Sequence, residues 1–286
     1  MEWKDRALDL RKRGRQWKQM YDILLAEYPE DDFSYEQMRS HVRRYSAAEK
    51  NDATKKRDAK TGIVGVIADL HVPFNHPNYL PFLVDTFKRY GVETVVSIGD
   101  LVDHHAMSRF QSETCALGAV DELEVSKVTL KKYSQAFPTV QVCAGNHDLI
   151  PVRQAATVNI DERYLKSLFE VLELPKTWTL EEEFVIDDVL YKHGINCLGK
   201  DGAINAAIQE RMSTVIGHSH SFGGCKYSAN KRNIIFGLNV GCGIDINAYA
   251  FAYGKHAKFR PTIGCGIVFD SSFAIFVPMP EKYFRD

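Results

Sequence analysis

Residues 94–103, Thr94-Val95-Val96-Ser97-Ile98-Gly99-Asp100-Leu101-Val102-Asp103, begin as a β-branched apolar run and end on a glycine and two carboxylates three positions apart. A short apolar run bounded by turn residues predicts a buried strand, here over 94–98, followed by a polar loop. The pattern recurs on both sides. Residues 63–68 predict a strand that delivers Asp69 and His71, and residues 139–144 predict one that delivers Gly145-Asn146-His147-Asp148. Residues 79–90 read as a helix, and a longer helix is expected within 116–136. Strand, polar loop and helix in alternation predict an α/β core. In such sheets the side chains that do chemistry sit in loops at the carboxyl ends of strands.

The second half is richer in β structure. Residues 184–186 and 189–192 flank Asp187-Asp188, a hairpin signal, and lead to His193-Gly194. A helix is expected over 201–211. A strand over 214–216 then delivers Gly217-His218-Ser219-His220, and further strands are expected at 234–238, 263–268 and 273–277. Five polar clusters thus each follow an expected strand. Carboxylate, imidazole and amide oxygens together suit divalent first-row metals such as Mn, Fe or Zn. Six or seven such ligands exceed what one tetrahedral zinc takes. The inventory fits two ions about 3.5–4 Å apart that share a bridging carboxylate.

In this order and spacing, over roughly residues 62–280, the clusters resemble the calcineurin-like metallophosphoesterase superfamily. The resemblance implies an α/β fold of two packed β-sheets flanked by helices, a four-layer αββα sandwich. It implies that Asp69, His71 and His220 bind one metal, that Asn146, His193 and His218 bind the other, and that Asp100 bridges them. His147 would be the catalytic imidazole, with Asp103 holding its other nitrogen and favouring the protonated ring. Manganese is the expected ion, with iron, zinc or nickel as alternatives. A water between two cations loses its proton readily, and the hydroxide would attack phosphorus in line while His147 assists the leaving oxygen.

One position departs from the protein-phosphatase branch, which places Arg directly after the second Asp of Gly-Asp-x-x-Asp. Here that residue is His104. The Arg helps to neutralise a phosphomonoester dianion. A diester carries one fewer charge, so the loss points towards a phosphodiester. Arg109 and Arg153 are candidate replacements, and His104 is a candidate substrate contact. The alternative activity is that of a phosphomonoesterase acting on a protein, a nucleotide or a nucleic-acid end.

Residues 1–50 read as three short helices, the third capped by Ser34 with Gln37 as its capping-box partner. They resemble a homeodomain-like helix-turn-helix, whose third helix would present Gln37, Arg39, Arg43 and Arg44 to DNA. Residues 1–60 hold 15 Lys and Arg against 12 Asp and Glu. Residues 46–60 hold almost no large apolar side chain and read as a solvated linker. The expected organisation is a helical domain over 1–48, a linker over 49–61 and a catalytic domain over 62–286. Joined, these parts predict a DNA-processing nuclease, an architecture similar to that of bacteriophage and prophage proteins.

Composition excludes other classes. The chain has 286 residues, 45% hydrophobic and 26% charged, with net charge −1, which rules out a collagen-like or disordered chain. Its six cysteines are scattered singly, so neither a thiolate zinc site nor a disulfide framework is expected. No apolar run approaches the ~18–20 residues that span a bilayer. The opening Met1-Glu2-Trp3-Lys4-Asp5-Arg6 has no apolar signal core, so a cytoplasmic location is expected, that of the host if the chain is phage-encoded. Nothing in the sequence fixes an oligomeric state.

Overall fold

Side chains alternate along β1 (Ile63–Ile67), and that alternation builds two cores at once. Val64, Val66 and the following Ala68 point into one apolar cluster, whereas Ile63 and Ile67 point into another. The computed structural model describes residues 2–12, 15–39, 41–42, 62–108, 116–248 and 260–284. The chain divides into two units, Met1–Ala59 and Lys60–Asp286.

In the larger unit β1 pairs in parallel with β2 (Thr94–Ser97), which is followed in the same sense by β3 (Gln141–Cys143) and β4 (Thr179–Glu181). On the other side β10 (Gly264–Phe269) and β11 (Phe273–Pro278) pair antiparallel, giving the order β11-β10-β1-β2-β3-β4. The second sheet has the order β5-β6-β7-β9-β8. Its inner strands β6 (Val189–Lys192), β7 (Ser213–Ile216) and β9 (Ile234–Val240) are parallel, and the edges β5 (Glu183–Ile186) and β8 (Gly223–Ala229) are antiparallel.

The sheets pack on each other through Val66, Val96 and Ile98 from one and Tyr191, Val215 and Leu238 from the other, all buried. The outer face of the first sheet is covered by α3 (Tyr79–Tyr90) and α4 (Ala119–Ala136), which contribute Phe82, Leu83, Leu130 and Tyr133. Each such side chain contributes roughly 1.5–3 kcal/mol by burial. The second sheet is covered by α7 (Gly202–Glu210), packed on β7 and β9. Between these lie α5 (Ile150–Thr157) and the short α6 (Leu168–Val171). The result is two mixed sheets between helices, the αββα fold expected.

Two strands escape the sequence pattern. β4 is three residues long and packs a single apolar side chain, Leu180, on the core, too short a stretch for alternation to mark it as a strand. β8 opens on Gly223-Gly224 and is an edge strand with mostly exposed side chains. Both exist because a neighbouring strand offers free hydrogen bonds, not because of their own side chains.

The smaller unit contains α1 (Trp3–Lys12), α2 (Trp17–Glu27) and helical residues at 35–39 and 41–42. Ala7, Leu10, Met20, Leu24, Phe33, Met38 and Val42 form its core. Trp3 stacks on Phe33, and Arg6 forms a fork with Glu27 through two 2.8 Å bonds. The Ser34 hydroxyl accepts from the Gln37 N–H, and Gln37 Oε1 accepts from the Ser34 N–H at 2.6 Å, the capping box that the sequence predicts. The linker lies outside the described residues.

Candidate metal centre

All five polar clusters follow β1, β2, β3, β6 and β7, strands whose carboxyl ends lie at one end of the sandwich. Close backbone approach brings the loops together. A Cβ at Gly145 would stand 2.1 Å from Asp100 N and 2.2 Å from Asp100 Oδ1, and one at Gly217 would stand 2.2 Å from Asp69 Oδ1. Only glycine lets the β3 and β7 loops press against those two carboxylates. His71, Asp100, His104 and His218 each hold φ between 47° and 63°, left-handed conformations that cluster at functional sites.

The geometry brings together two overlapping sets that contain Asp100, beside a third made of His71, Asp103 and His147. Asp69, His71, Asp100 and His220 place ligand atoms within 4.8 Å of one another, and so do Asp100, His193 and His218. Asp100 is common to both, the position expected of a bridging carboxylate. Asn146 joins the second set, its Oδ1 lying 3.0 Å from His193 Nε2.

The ring orientations are fixed from behind. His71 Nδ1 donates to Asp103 Oδ1 at 2.6 Å, and His193 Nδ1 donates to the Ile98 carbonyl at 3.0 Å. Both Nε2 atoms therefore face inward. They approach Asp100 Oδ2 to 3.5 and 3.2 Å, and His71 Nε2 lies 3.1 Å from His220 Nε2. Histidine ligands to metals are held by carboxylates and carbonyls in this way.

Electrostatics call for positive charge in the middle. Burial opposes a charge on His193, but Asp69 and Asp100 outweigh it and push its pKa up to about 10. Burial likewise opposes charge on Asp100, yet His193, His71 and His147 hold it well below the usual carboxylate range. Burial pushes His71 and His218 down, towards the neutral imidazole that a metal requires. Asp69 Oδ1 is buried and accepts no hydrogen bond among the described residues. Inward-facing Nε2 atoms, a shared carboxylate and a buried carboxylate oxygen that accepts no hydrogen bond among the described residues together fit a pair of divalent cations.

His147 stands outside the ligand sets of Asp100. Its N–H donates to Asp100 Oδ1 at 2.7 Å, and its ring is partly exposed. Here the structure differs from expectation. His147 Nδ1 donates to the backbone carbonyl of Asp103 at 2.7 Å, while the Asp103 carboxylate is 3.5 Å away and bonded to His71. The shorter, stronger bond to His71 takes the carboxylate, and the main chain orients His147 instead.

The remaining sites divide. His104 is buried, and its Nδ1 donates to the His147 carbonyl at 2.9 Å, so it supports the loop from behind instead of presenting itself to substrate. Burial pushes its pKa down as well. Arg153 is exposed and donates to the Asn146 carbonyl. Arg109 lies outside the described residues, as do Arg43 and Arg44. Gln37 spends its side-chain oxygen on the cap, and Arg39 pairs with Glu36 at 2.9 Å and lies over Trp17 and Tyr35.

Two residues that sequence reasoning did not single out hold the loops. The Asp148 carboxylate accepts from the N–H groups of Gly145 (2.9 Å) and Val102 (3.3 Å), and burial and Asp100 push its pKa up to about 7. The Glu122 carboxylate, in the first turn of α4, accepts from the N–H groups of His105 and Ala106 at 2.8 Å each. Asp148 was visible as the last residue of its cluster. Glu122 carried no signal, because an acid in a helix's first turn is ordinary.

The calcineurin-like phosphoesterase family model matches residues 63–240, more than half of the chain. The chain belongs to this family. A calcineurin-like phosphoesterase hydrolyses phosphate esters with divalent metals, and the residues gathered here are the candidate ligands. Comparison with curated proteins returns no match. Among solved structures, similar chains include Vacuolar Protein Sorting 29 from Cryptosporidium parvum, at 12% identity and a TM-score of 0.38, covering 73% of this chain and 85% of that one. Yfce, a phosphoesterase from E. coli, is similar at 14% identity and a TM-score of 0.35, covering 76% and 97%. The Pseudomonas putida nuclease MPE is similar at 11% identity and a TM-score of 0.34, covering 75% and 86%. Among the described residues no helix is long and apolar enough to cross a membrane.

Proposed function

We propose that this phosphoesterase is a two-metal phosphodiesterase whose substrate is DNA. The observation that carries the reading is Asp100, shared by two ligand sets, with His147 beside them but outside both sets that contain Asp100. Divalent ions bound there would supply Lewis acidity, lowering the pKa of a water and drawing charge from the phosphoryl oxygens. Asp69, His71 and His220 would hold one, and Asn146, His193 and His218 the other. The carbonyl of Asp103 fixes His147 Nδ1 as a donor, so in the imidazolium form the second proton sits on Nε2 and can pass to the leaving oxygen, returning the ring to neutral.

Preference for a diester rests on His104. Buried against the His147 carbonyl, it offers no cation to the second negative charge of a monoester. DNA as the substrate rests on the helical N-terminal unit, which would raise the local concentration of DNA at the metals. Contacts from that unit fall to Arg43, Arg44 and Gln37, since Arg39 pairs with Glu36 and lies over Trp17. A phage-type origin, a cytoplasmic location and manganese as the ion are proposed along with this reading.

Parallel assays with Mn²⁺ on bis-p-nitrophenyl phosphate and p-nitrophenyl phosphate, and on linear, nicked and circular DNA, test it. The diester and at least one DNA form should be hydrolysed. Strong preference for the monoester, with every DNA form intact, would overturn the reading.

A further inference from the structure

A cavity of about 340 Å³ next to the metal loops takes no part in the chemistry above. It lies between the starts of α4 and α5, the chain around α6 and the loop after β2. Val102, Leu123, Val152, Leu168 and Leu172 are among its walls. Its size falls at the lower end of small-molecule pockets, which run from roughly 300 Å³ upward.

Among its lining residues, Glu122, Ser126, Asp148 and His104, the last through Nδ1, hold hydrogen bonds elsewhere. Both oxygens of Glu122 hold backbone N–H groups, and the Ser126 hydroxyl donates to the Glu122 carbonyl at 2.7 Å. Asp148 holds Gly145 and Val102, and His104 Nδ1 holds the His147 carbonyl. Lys166 is exposed and lends its charge to Glu170, which caps α6 through Ser167. The interior therefore rewards apolar contact and penalises an unpaired polar group.

Three of those side chains also set the catalytic loops. Glu122 clamps the turn two residues beyond Asp103, Asp148 ties the β3 loop to the β2 loop, and His104 supports His147. We propose that this cavity binds a small uncharged apolar molecule, aromatic or short alkyl, and that its occupancy is coupled to the metal centre through the loop of residues 102–107. A molecule packed on that wall favours the arrangement in which Asp103 holds His71. By linkage, metal binding must then tighten the apolar ligand.

N-phenyl-1-naphthylamine, an uncharged fluorescent aromatic, is the probe, titrated into the full chain with and without Mn²⁺. Saturable binding is expected, with a dissociation constant about fivefold or more lower when Mn²⁺ is present. Val171→Trp and Ala119→Trp fill the cavity from different walls. Each should abolish probe binding and leave hydrolysis of bis-p-nitrophenyl phosphate at saturating Mn²⁺ unchanged, because the coupling acts on metal affinity. Circular dichroism shows which variants fold, and either one suffices. Absence of saturable binding to the wild type, or undiminished binding to a folded variant, overturns the site. An unchanged dissociation constant on adding Mn²⁺ overturns the coupling. The coupling rests on the metal reading, whereas the titration without Mn²⁺ tests the cavity by itself and uses no DNA.

Discussion

Alanine at Gly145 should disable the centre without touching a ligand. Its Cβ would stand 2.1 Å from Asp100 N and 2.2 Å from Asp100 Oδ1, where ordinary contacts begin at 3.4 Å. Backbone lies on one side of the clash and a buried carboxylate on the other, so neither can swing aside. The β3 loop must recede by about an ångström or more, a misplacement that costs roughly 10²-fold in rate. It carries with it Asn146, His147 and the 2.7 Å bond from the His147 N–H to Asp100. Hydrogen bonds to charged groups are worth about 1.5–3 kcal/mol. Overpacking of this kind costs roughly 1–3 kcal/mol, and each kcal/mol moves the melting temperature of a domain this size by about 2–4 °C. The assay is Mn²⁺-dependent hydrolysis of bis-p-nitrophenyl phosphate, with a thermal melt alongside. The expected outcome is a fall in kcat of about 10²-fold in a chain that still folds. Wild-type kcat with an unshifted melt would refute the close approach of the two loops.

The other expectations separate the roles of neighbouring groups. His147→Gln should lower kcat by roughly 10²–10⁴-fold while bound manganese, read by elemental analysis, stays at the wild-type level; turnover at the wild-type rate would remove His147 from the chemistry. Asp103→Ala frees the His71 ring but keeps the carbonyl that orients His147. Manganese affinity should therefore drop about 10–100-fold, with kcat at saturating metal falling far less than in His147→Gln. Asp100→Ala removes the one ligand common to both sets, so manganese content and turnover should both collapse; a fully loaded, active variant would show that nothing is shared. A chain beginning at residue 60 should hydrolyse small diesters at the full rate and bind DNA more weakly in a mobility-shift assay, and equal affinity would release the N-terminal unit from any DNA role.

The residues that the structure gathers at the centre were legible because they are written in local order. Asp69, Asp100, Asn146, His193 and His218 each follow an apolar run of strand character, and a strand's period and its polar stop are properties of neighbouring residues. The capping box of Ser34 and Gln37 was legible for the same reason. Neighbouring residues thus set the alternating core, the order of the loops and the chemical types carried at their tips. Which atom faces which was settled by long-range packing. Asp103 gives its carboxylate to His71 and its carbonyl to His147, a choice made by distances of 2.6 and 2.7 Å between residues 32 and 44 positions apart. Glu122 reaches the β2 loop across 17 positions, and His104 turns inward under His147. β4 and β8 became strands because a partner edge was waiting. Short-range patterning selects backbone conformation, whereas hydrogen-bond partners in a buried centre are chosen by whichever donor and acceptor the packed sheets bring within reach.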